Sequence, residues 1–363
     1  MARMMAPPAG ALGIGLRVLA SASDESVADV VPDVVIGSPD DLGAIRRLAA
    51  DCDVITFDHE HVPPDVLAEL ARDGVVLRPG PRALAHVHDK ITMRRELSEL
   101  GFPVPRWRVV TTPQDVVDFA GQTWPVVLKV ATGGYDGRGV WFVRNRAEAA
   151  EVMGQLPDSA WLAEEKIEFT QELSAQVARS PSGQAVAYPV VRTVQTDGIC
   201  TEVVSPAPDA THAITATEMA LRLAAALDVV GMLAVELFDT GSGVLVNELA
   251  MRPHNSGHWT IDGAVTSQFE NHLRAVLDLP LGSPAPTHRW SVMVNIIGGE
   301  YRDLYRAYLH CLARDPGLRI HVYGKSVRPG RKVGHVCVSG DDLDDLLRRA
   351  HHAADFITGT ITE

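Results

Sequence analysis

The sequence has few cysteines, no excess of basic charge and no long apolar run. Its four cysteines, Cys52, Cys200, Cys311 and Cys337, are too scattered for a metal-ligand spacing or a disulfide framework, and read as buried thiols of a reducing cytosol. Against 33 lysines and arginines stand 46 aspartates and glutamates, a formal net charge of −13, which argues against nucleic acid or an anionic membrane surface as a partner. No apolar stretch reaches the length of a membrane span. Met1 to Ala9 carries one arginine and two prolines but no apolar core, unlike a secretory leader. These exclusions leave a soluble, cytoplasmic chain. Its 363 residues suffice for two or three packed lobes.

What is present starts with an alternation. Short apolar runs at Leu16 to Ala20, Val34 to Ile36, Val54 to Phe57 and Val75 to Leu77 are spaced evenly, with helical patterns such as Asp40 to Ala50 and Pro64 to Arg72 between them. That order predicts a small parallel α/β lobe. Thr56-Phe57-Asp58-His59-Glu60-His61 falls where the third strand ends, a place for ligand groups or for a plain polar loop. Asp89 to Gly101 then reads as a helix with Lys90 in its first turn, followed by the linker Pro103-Val104-Pro105.

Val126 to Val130 reads as a buried strand carrying one lysine, Lys129. Thr132-Gly133-Gly134-Tyr135-Asp136-Gly137-Arg138-Gly139 follows, and then a second apolar run, Val140 to Val143. The tip of such a hairpin can lie flat on a polyphosphate, because glycine lets backbone N–H groups approach anionic oxygens. It is not a Walker loop, since no Gly-Lys-Ser/Thr closes it and no helix follows at once. Loop chemistry alone leaves a glycine-rich turn as the alternative. Arg146 to Leu156 is amphipathic, and Trp161 to Ile167 reads as a strand running into a polar hinge.

Further strands are expected over Ser174 to Ala178 and Ala185 to Gln195, and a helix over Thr215 to Leu227. Leu233 to Asp239 and Val244 to Leu249 flank Thr240-Gly241-Ser242-Gly243, a hairpin pattern. Counting outward from the turn brings Glu236 opposite Asn247 or Glu248, on one face of the sheet. Two carboxylates inside apolar strands need something positive between them. Mg²⁺ with nucleotide phosphates meets that need, and so would an arginine or lysine partner. Met251-Arg252-Pro253-His254-Asn255-Ser256-Gly257-His258-Trp259 follows at once, with polar and cationic groups suited to an anion. Ser267 to Leu277 reads as a helix and Val292 to Ile297 as a strand. Lys325 to His335 packs five cationic or potentially cationic residues around Pro329-Gly330, either a phosphate clamp or a charged surface turn. Asp341 to Ile357 closes the chain as a helix.

The string from Lys129 through Gly139 resembles the nucleotide-covering loop of ATP-grasp ligases, and more narrowly that of the N5-carboxyaminoimidazole ribonucleotide synthetase family of purine biosynthesis. The resemblance runs from about Leu12 to the last helix, and its specific motifs are Thr132 to Gly139, Asn247 to Trp259 and Arg328 to His335. It implies an α/β fold, α+β in the ATP-grasp part: an N-terminal lobe over 1–88, an ATP-grasp domain over 89–285 with a lid near 106–168, and a C-terminal lobe over 286–363. It implies ATP-dependent carboxylation of 5-aminoimidazole ribonucleotide by bicarbonate through carboxyphosphate, with Mg²⁺, in a cytoplasmic homodimer. The alternatives are a catalytically impaired relative and a ligase for another substrate, such as a formate-using transformylase.

The roles implied are these. Lys90 and Lys129 take the ATP phosphates under the lid Gly133, Gly134, Tyr135, Asp136, Gly137, Arg138 and Gly139. Glu164, Glu165, Lys166 and Ile167 present backbone to the adenine, and Glu172 takes the ribose. Gln195 stands where some members have a nucleotide-contacting histidine. Glu236 and Glu248 ligate magnesium beside Asn247, while Arg252, His254 and Asn255 hold bicarbonate or carboxyphosphate. Lys325, Arg331 and Lys332 clamp the ribonucleotide phosphate, with Tyr135 and Asp136 near the imidazole. Met251 and Pro253 depart from the family's proline and small aliphatic residue at their places. Members of the family open on a strand and a glycine-rich turn, whereas Met1 to Met5 resembles the helix after it. The expectation is therefore a reading frame that begins upstream and an N-terminal lobe lacking its first strand. Pro7 and Pro8 are then expected to interrupt the helix, and the 363-residue form to be weak in expression or ribonucleotide binding.

Overall fold

Helix α1 (Ala2–Leu12) runs straight through Pro7 and Pro8, contrary to the expected interruption. Its Met5 and Ala9 are buried against Phe269 and Leu273, and that packing outweighs the backbone donors the prolines lack. The computed structural model describes residues 1–134, 138–299 and 301–362. After α1 come β1 (Arg17–Ala20) and β2 (Asp33–Ile36), which pair in parallel. Helices α2 (Leu42–Ala49), α3 (Pro64–Arg72), α4 (Pro81–His88) and α5 (Lys90–Glu99) follow. Asp41 and Asp89 cap α2 and α5 by accepting from their first-turn amides. The runs expected as third and fourth strands make only one parallel bridge, Ile55 to Leu77. Pro79, without an N–H, stands just past it and cannot extend the ladder. Ile45, Leu48, Val66, Leu70 and Leu77 form the core of this lobe.

The second unit is a four-stranded antiparallel sheet in the order β3-β6-β4-β5. It consists of β3 (Trp107–Val110), α6 (Pro113–Ala120), β4 (Val126–Val130), β5 (Val140–Val143), α7 (Arg146–Gln155) and β6 (Trp161–Glu165). Thr112 and Asp115 form a reciprocal capping box on α6. Both helices cover one face, over Val116, Phe119, Leu128 and Trp161.

A nine-stranded sheet carries the rest. Its strands and helices are β7 (Gln171–Arg179), β8 (Ala185–Ala187), β9 (Val191–Thr196), β10 (Ile199–Ser205), α8 (Ala213–Ala226), β11 (Gly231–Asp239) and β12 (Val244–Ala250). Then come α9 (Thr260–Gly263), α10 (Gln268–Val276), β13 (Trp290–Ile297), α11 (Tyr308–Arg314), β14 (Arg319–Val322), β15 (Lys332–Gly340) and α12 (Leu343–Thr358). The path is β12-β11-β7-β9-β10-β13-β15-β14, with β8 on β7. The single strand expected over Ala185 to Gln195 is split at Pro189, which cannot donate to a ladder. Because β10 pairs with β13, the sheet continues from the hairpin of acidic residues into the C-terminal lobe. Among the described residues no helix is long and apolar enough to cross a membrane.

Candidate active site

The site is organised by the β11–β12 hairpin. Glu236 faces Glu248 directly, and the register slips by one at that point. Asn247 is the extra residue, a β-bulge. The bulge reverses the alternation: Val244 and Val246 are buried before it and Leu249 after it, so Asn247 and Glu248 stand consecutively outside the core. Burial, then the negative charges of Glu248 and Glu172, push the Glu236 carboxyl up to about 8. For Glu248, burial pulls upward too, but Lys90, with Lys129 and Arg94 behind it, outweighs it and holds the carboxyl below its ordinary value. Lys90 Nζ lies 2.7 Å from Glu248 Oε1. The lysine partner weighed above is therefore in contact with Glu248, while at Glu236 the pull of Lys332 and Arg252 is smaller than the effect of burial. A buried carboxyl raised this far, opposite a second one with Asn247 beside it, is a hard-oxygen donor set suited to Mg²⁺.

Lys129 sits at the end of β4, opposite Val140 of β5 and Leu162 of β6. The backbone N–H of Lys90 donates to Ala131 O at 2.9 Å, which brings the start of α5 alongside this strand. Lys129 Nζ is 2.7 Å from Glu164 Oε2 and donates to Asn247 Oδ1 at 3.3 Å. Glu164 Oε1 accepts from Arg94 Nε at 2.5 Å, and Arg94 Nη2 donates to Asn247 O at 2.7 Å. Burial alone would raise the Glu164 carboxyl, but Lys129 and Arg94 bring it down to about 2. Glu164 lies within β6, paired with Trp107 on one side and Val127 on the other, and its side chain faces the lysine. Glu165 ends the strand and accepts from Arg106 N, while Lys166 and Ile167 lie beyond it.

The loop above Lys129 needs its glycines. Gly133 and Gly139 have φ of 78°, and a Cβ on Gly139 would stand 2.6 Å from Val130 Cγ2. Tyr135, Asp136 and Gly137 lie outside the described residues. Glu172 is on β7 opposite Phe238, and burial raises its carboxyl to about 7. Gln195 pairs with Cys200 across β9 and β10.

Past β12, the chain turns back toward the carboxylates. His254 Nε2 is 3.4 Å from Glu236 Oε1, and its Nδ1 faces Ser256 Oγ at 2.9 Å. Burial, with Arg252 and Lys332 nearby, lowers this imidazole to about 3, so it is neutral at neutral pH. Arg252 Nε is held by Glu60 Oε1 at 2.7 Å, so the acidic string at residues 56–61 does reach the site. Asn255 does not present a free amide. It exchanges hydrogen bonds with Asn295 at 3.1 and 2.8 Å and is 7% exposed.

Lys332 opens β15, close enough to act on both Glu236 and His254. Arg331 donates to Ser326 O at 3.2 Å and Oγ at 2.8 Å, which closes the cationic turn. Lys325 lies 5.8 Å from the Tyr323 ring. This turn is tethered to β13, since Gly330 N donates to Gly298 O and Gly298 N to Arg331 O. A Cβ on Gly298 would come 2.3 Å from Arg328 O. Arg94 and the Glu60–Arg252 pair were missed from sequence. Arg94 had a signal, since it stands four residues after Lys90 on one helix face.

The lysine-bearing lid sheet, set over two carboxylates of a bulged hairpin, defines an ATP-grasp ligase. The ATP-grasp domain model matches residues 95–269, the ribonucleotide synthetase preATP-grasp model residues 1–88, and the phosphoribosylaminoimidazole carboxylase C-terminal model residues 291–349. The N5-carboxyaminoimidazole ribonucleotide synthase of Mycobacterium tuberculosis is 50% identical over 99% of this chain and 86% of that protein. The enzyme of Corynebacterium ammoniagenes is 43% identical over 98% of this chain and 89% of that protein. The crystal structure of the Thermus thermophilus synthetase superposes with TM-score 0.87 at 36% identity, covering 100% of this chain and 96% of that one. The Aspergillus clavatus synthase, in complex with ADP and 5-aminoimidazole ribonucleotide, gives 0.89 at 33% identity, with 99% and 96% covered. The chain belongs to the N5-carboxyaminoimidazole ribonucleotide synthase family.

Proposed function

We propose that this chain carboxylates 5-aminoimidazole ribonucleotide with bicarbonate at the expense of ATP, giving N5-carboxyaminoimidazole ribonucleotide, ADP and phosphate. The observation that carries the reading is Glu236 directly opposite Glu248, with Lys90, Lys129 and Asn247 alongside. Bicarbonate is a poor electrophile, and phosphorylation to carboxyphosphate gives it a leaving group. Such a transfer asks the protein for positioning and charge neutralisation, and for no nucleophile of its own.

Glu236, Glu248 and Asn247 are assigned to the magnesium–phosphate assembly. Bound by these residues, Mg²⁺ would supply charge neutralisation on the transferred phosphoryl oxygens. Lys90 and Lys129 hold the ATP phosphates under the Gly133 to Gly139 lid. The backbone from the last two residues of β6 into the hinge beyond it, Glu164 to Ile167, faces the adenine; Glu172 takes the ribose, and Gln195 offers a neutral hydrogen bond. Arg252, kept in place by Glu60, and neutral His254 hold bicarbonate and then carboxyphosphate, while Asn255 acts through its pair with Asn295. Lys325, Arg331 and Lys332 hold the ribonucleotide phosphate, with Tyr135 and Asp136 by the imidazole. A homodimer in the cytosol belongs to the same reading, as does the division into lobes over 1–88, 89–285 and 286–363.

The test is phosphate release. It should require aminoimidazole ribonucleotide and bicarbonate together with Mg·ATP. Release driven equally well by formate, or by ATP alone, would refute the assignment.

A further inference from the structure

Arg94 has no accessible surface, and among the described residues its Nη1 has no hydrogen-bond partner. A guanidinium donor buried and unmade is unfavourable. Each of its other two nitrogens makes a hydrogen bond. Nε meets Glu164 Oε1 and Nη2 meets the Asn247 carbonyl, while Glu164 Oε2 meets Lys129 Nζ, which in turn donates to Asn247 Oδ1. Four residues from α5, β6, β4 and β12 thus close a ring. It joins the lid sheet to the bulge that sets Glu248 opposite Glu236.

We infer that Arg94 is a positioning residue for the nucleotide: it holds the Lys129 ammonium and the Asn247 bulge in place without touching ATP. By occupying Glu164 Oε1 it leaves only one carboxylate oxygen for Lys129. Without Arg94, both oxygens of Glu164 are available to Lys129 and draw it toward β6, away from the cleft. The Asn247 carbonyl loses its guanidinium donor at the same time, at the one place where β12 departs from the regular ladder. The defect should therefore fall on ATP and Mg²⁺ together and spare the ribonucleotide, whose assigned clamp lies on β15 and the turn before it. The inference rests on the role of Lys129 proposed above.

The experiment is Arg94→Met in the full-length protein, with steady-state kinetics against each substrate and against Mg²⁺. The KM for ATP and the Mg²⁺ half-saturation should each rise about tenfold or more, the effect of losing a charged hydrogen bond, with the KM for aminoimidazole ribonucleotide unchanged. Arg94→Lys, which can still meet Glu164, should recover part of the loss. A merely structural role would lower thermal stability and move every constant by a similar factor, and that result overturns the inference. So does an unchanged KM for ATP. If Arg94→Met does not fold, Arg94→Gln, which keeps an amide NH2 donor and no charge, takes its place with the same expectation. Lys129→Met, measured beside them, separates the two failures. No ATP defect there defeats the Lys129 assignment itself, whereas a defect there with none at Arg94 defeats only the positioning role.

Discussion

Replacing Glu248 by glutamine is the sharpest test of the paired carboxylates. The amide keeps nearly the same volume and an oxygen that can still accept from Lys90, but it removes the negative charge. Lys90 is 11% exposed at its side chain and Glu248 is 45% exposed, so their 2.7 Å contact is strongly screened on one side. Losing it should cost about 0.2–1 kcal/mol of stability, the range of exposed pairs. For a chain of this size that is a fall in Tm of about 4 °C or less. Turnover should fall by about 100-fold or more, beyond the usual 10–100-fold loss for disturbing groups that only support a metal ligand. The assay is phosphate release at saturating substrates over a Mg²⁺ titration, run beside a thermal melt of the same preparation. Turnover within a few-fold of the parent at high Mg²⁺, with the fold intact, would refute the metal assignment. A large fall in Tm would refute the reasoning differently, by showing that the pair holds the hairpin together.

Arg331→Ala should raise the apparent KM for aminoimidazole ribonucleotide about tenfold or more while leaving that for ATP nearly unchanged, since the turn it closes is assigned to the ribonucleotide alone; equal damage to both would reassign the turn to ATP. His351 and Glu202 offer a test by pH, because His351 Nε2 lies 2.7 Å from Glu202 Oε2 and links α12 to β10. The bond to Glu202 raises the imidazole above its ordinary value, while Glu202, which burial would raise, is brought below its own by His351 and Arg192. The imidazole's contribution is complete below its ordinary pKa of about 6.5 and is lost as pH rises through the raised one; the carboxylate's is present above about 4.5 and is lost on acidification. His351→Gln should therefore lower Tm most between about pH 5 and 6.5, with the gap from the parent closing as the solution turns alkaline. A gap independent of pH would show that the ion pair contributes nothing.

Much of the site was legible because it is local. Two apolar runs flanking Thr240 to Gly243 announce the hairpin, and counting from the turn places Glu236 within one residue of its partner. The last residue of register was not legible, since the bulge at Asn247 is bonded through its carbonyl to Arg94, more than 150 positions away in sequence. The Glu60–Arg252 pair and the Asn255–Asn295 exchange are equally non-local. In the N-terminal lobe, the apolar runs Val54 to Phe57 and Val75 to Leu77 were read as strands; they bury Ile55, Phe57 and Leu77 and leave Val76 exposed, and ladder length depends on neighbours and prolines that composition does not report. The α1 prolines teach the converse: tertiary burial of Met5 and Ala9 overrides a strong local rule.

The bulge at Asn247 also governs what can be borrowed from this hairpin. An ideal strand shows every second side chain to one face, so two neighbouring polar groups cannot both look into one cleft. A designer who grafts β12 onto a regular scaffold, copying its residues with the alternation restored, must bury either Asn247 or Glu248. A deletion at position 247 would keep the glutamates opposite each other while removing the amide from between them and the lysine. The transferable unit is thus larger than a short motif. It is the pair Asn247-Glu248 with the irregular backbone beneath it, and with the arginine from a distant helix that grips the irregularity.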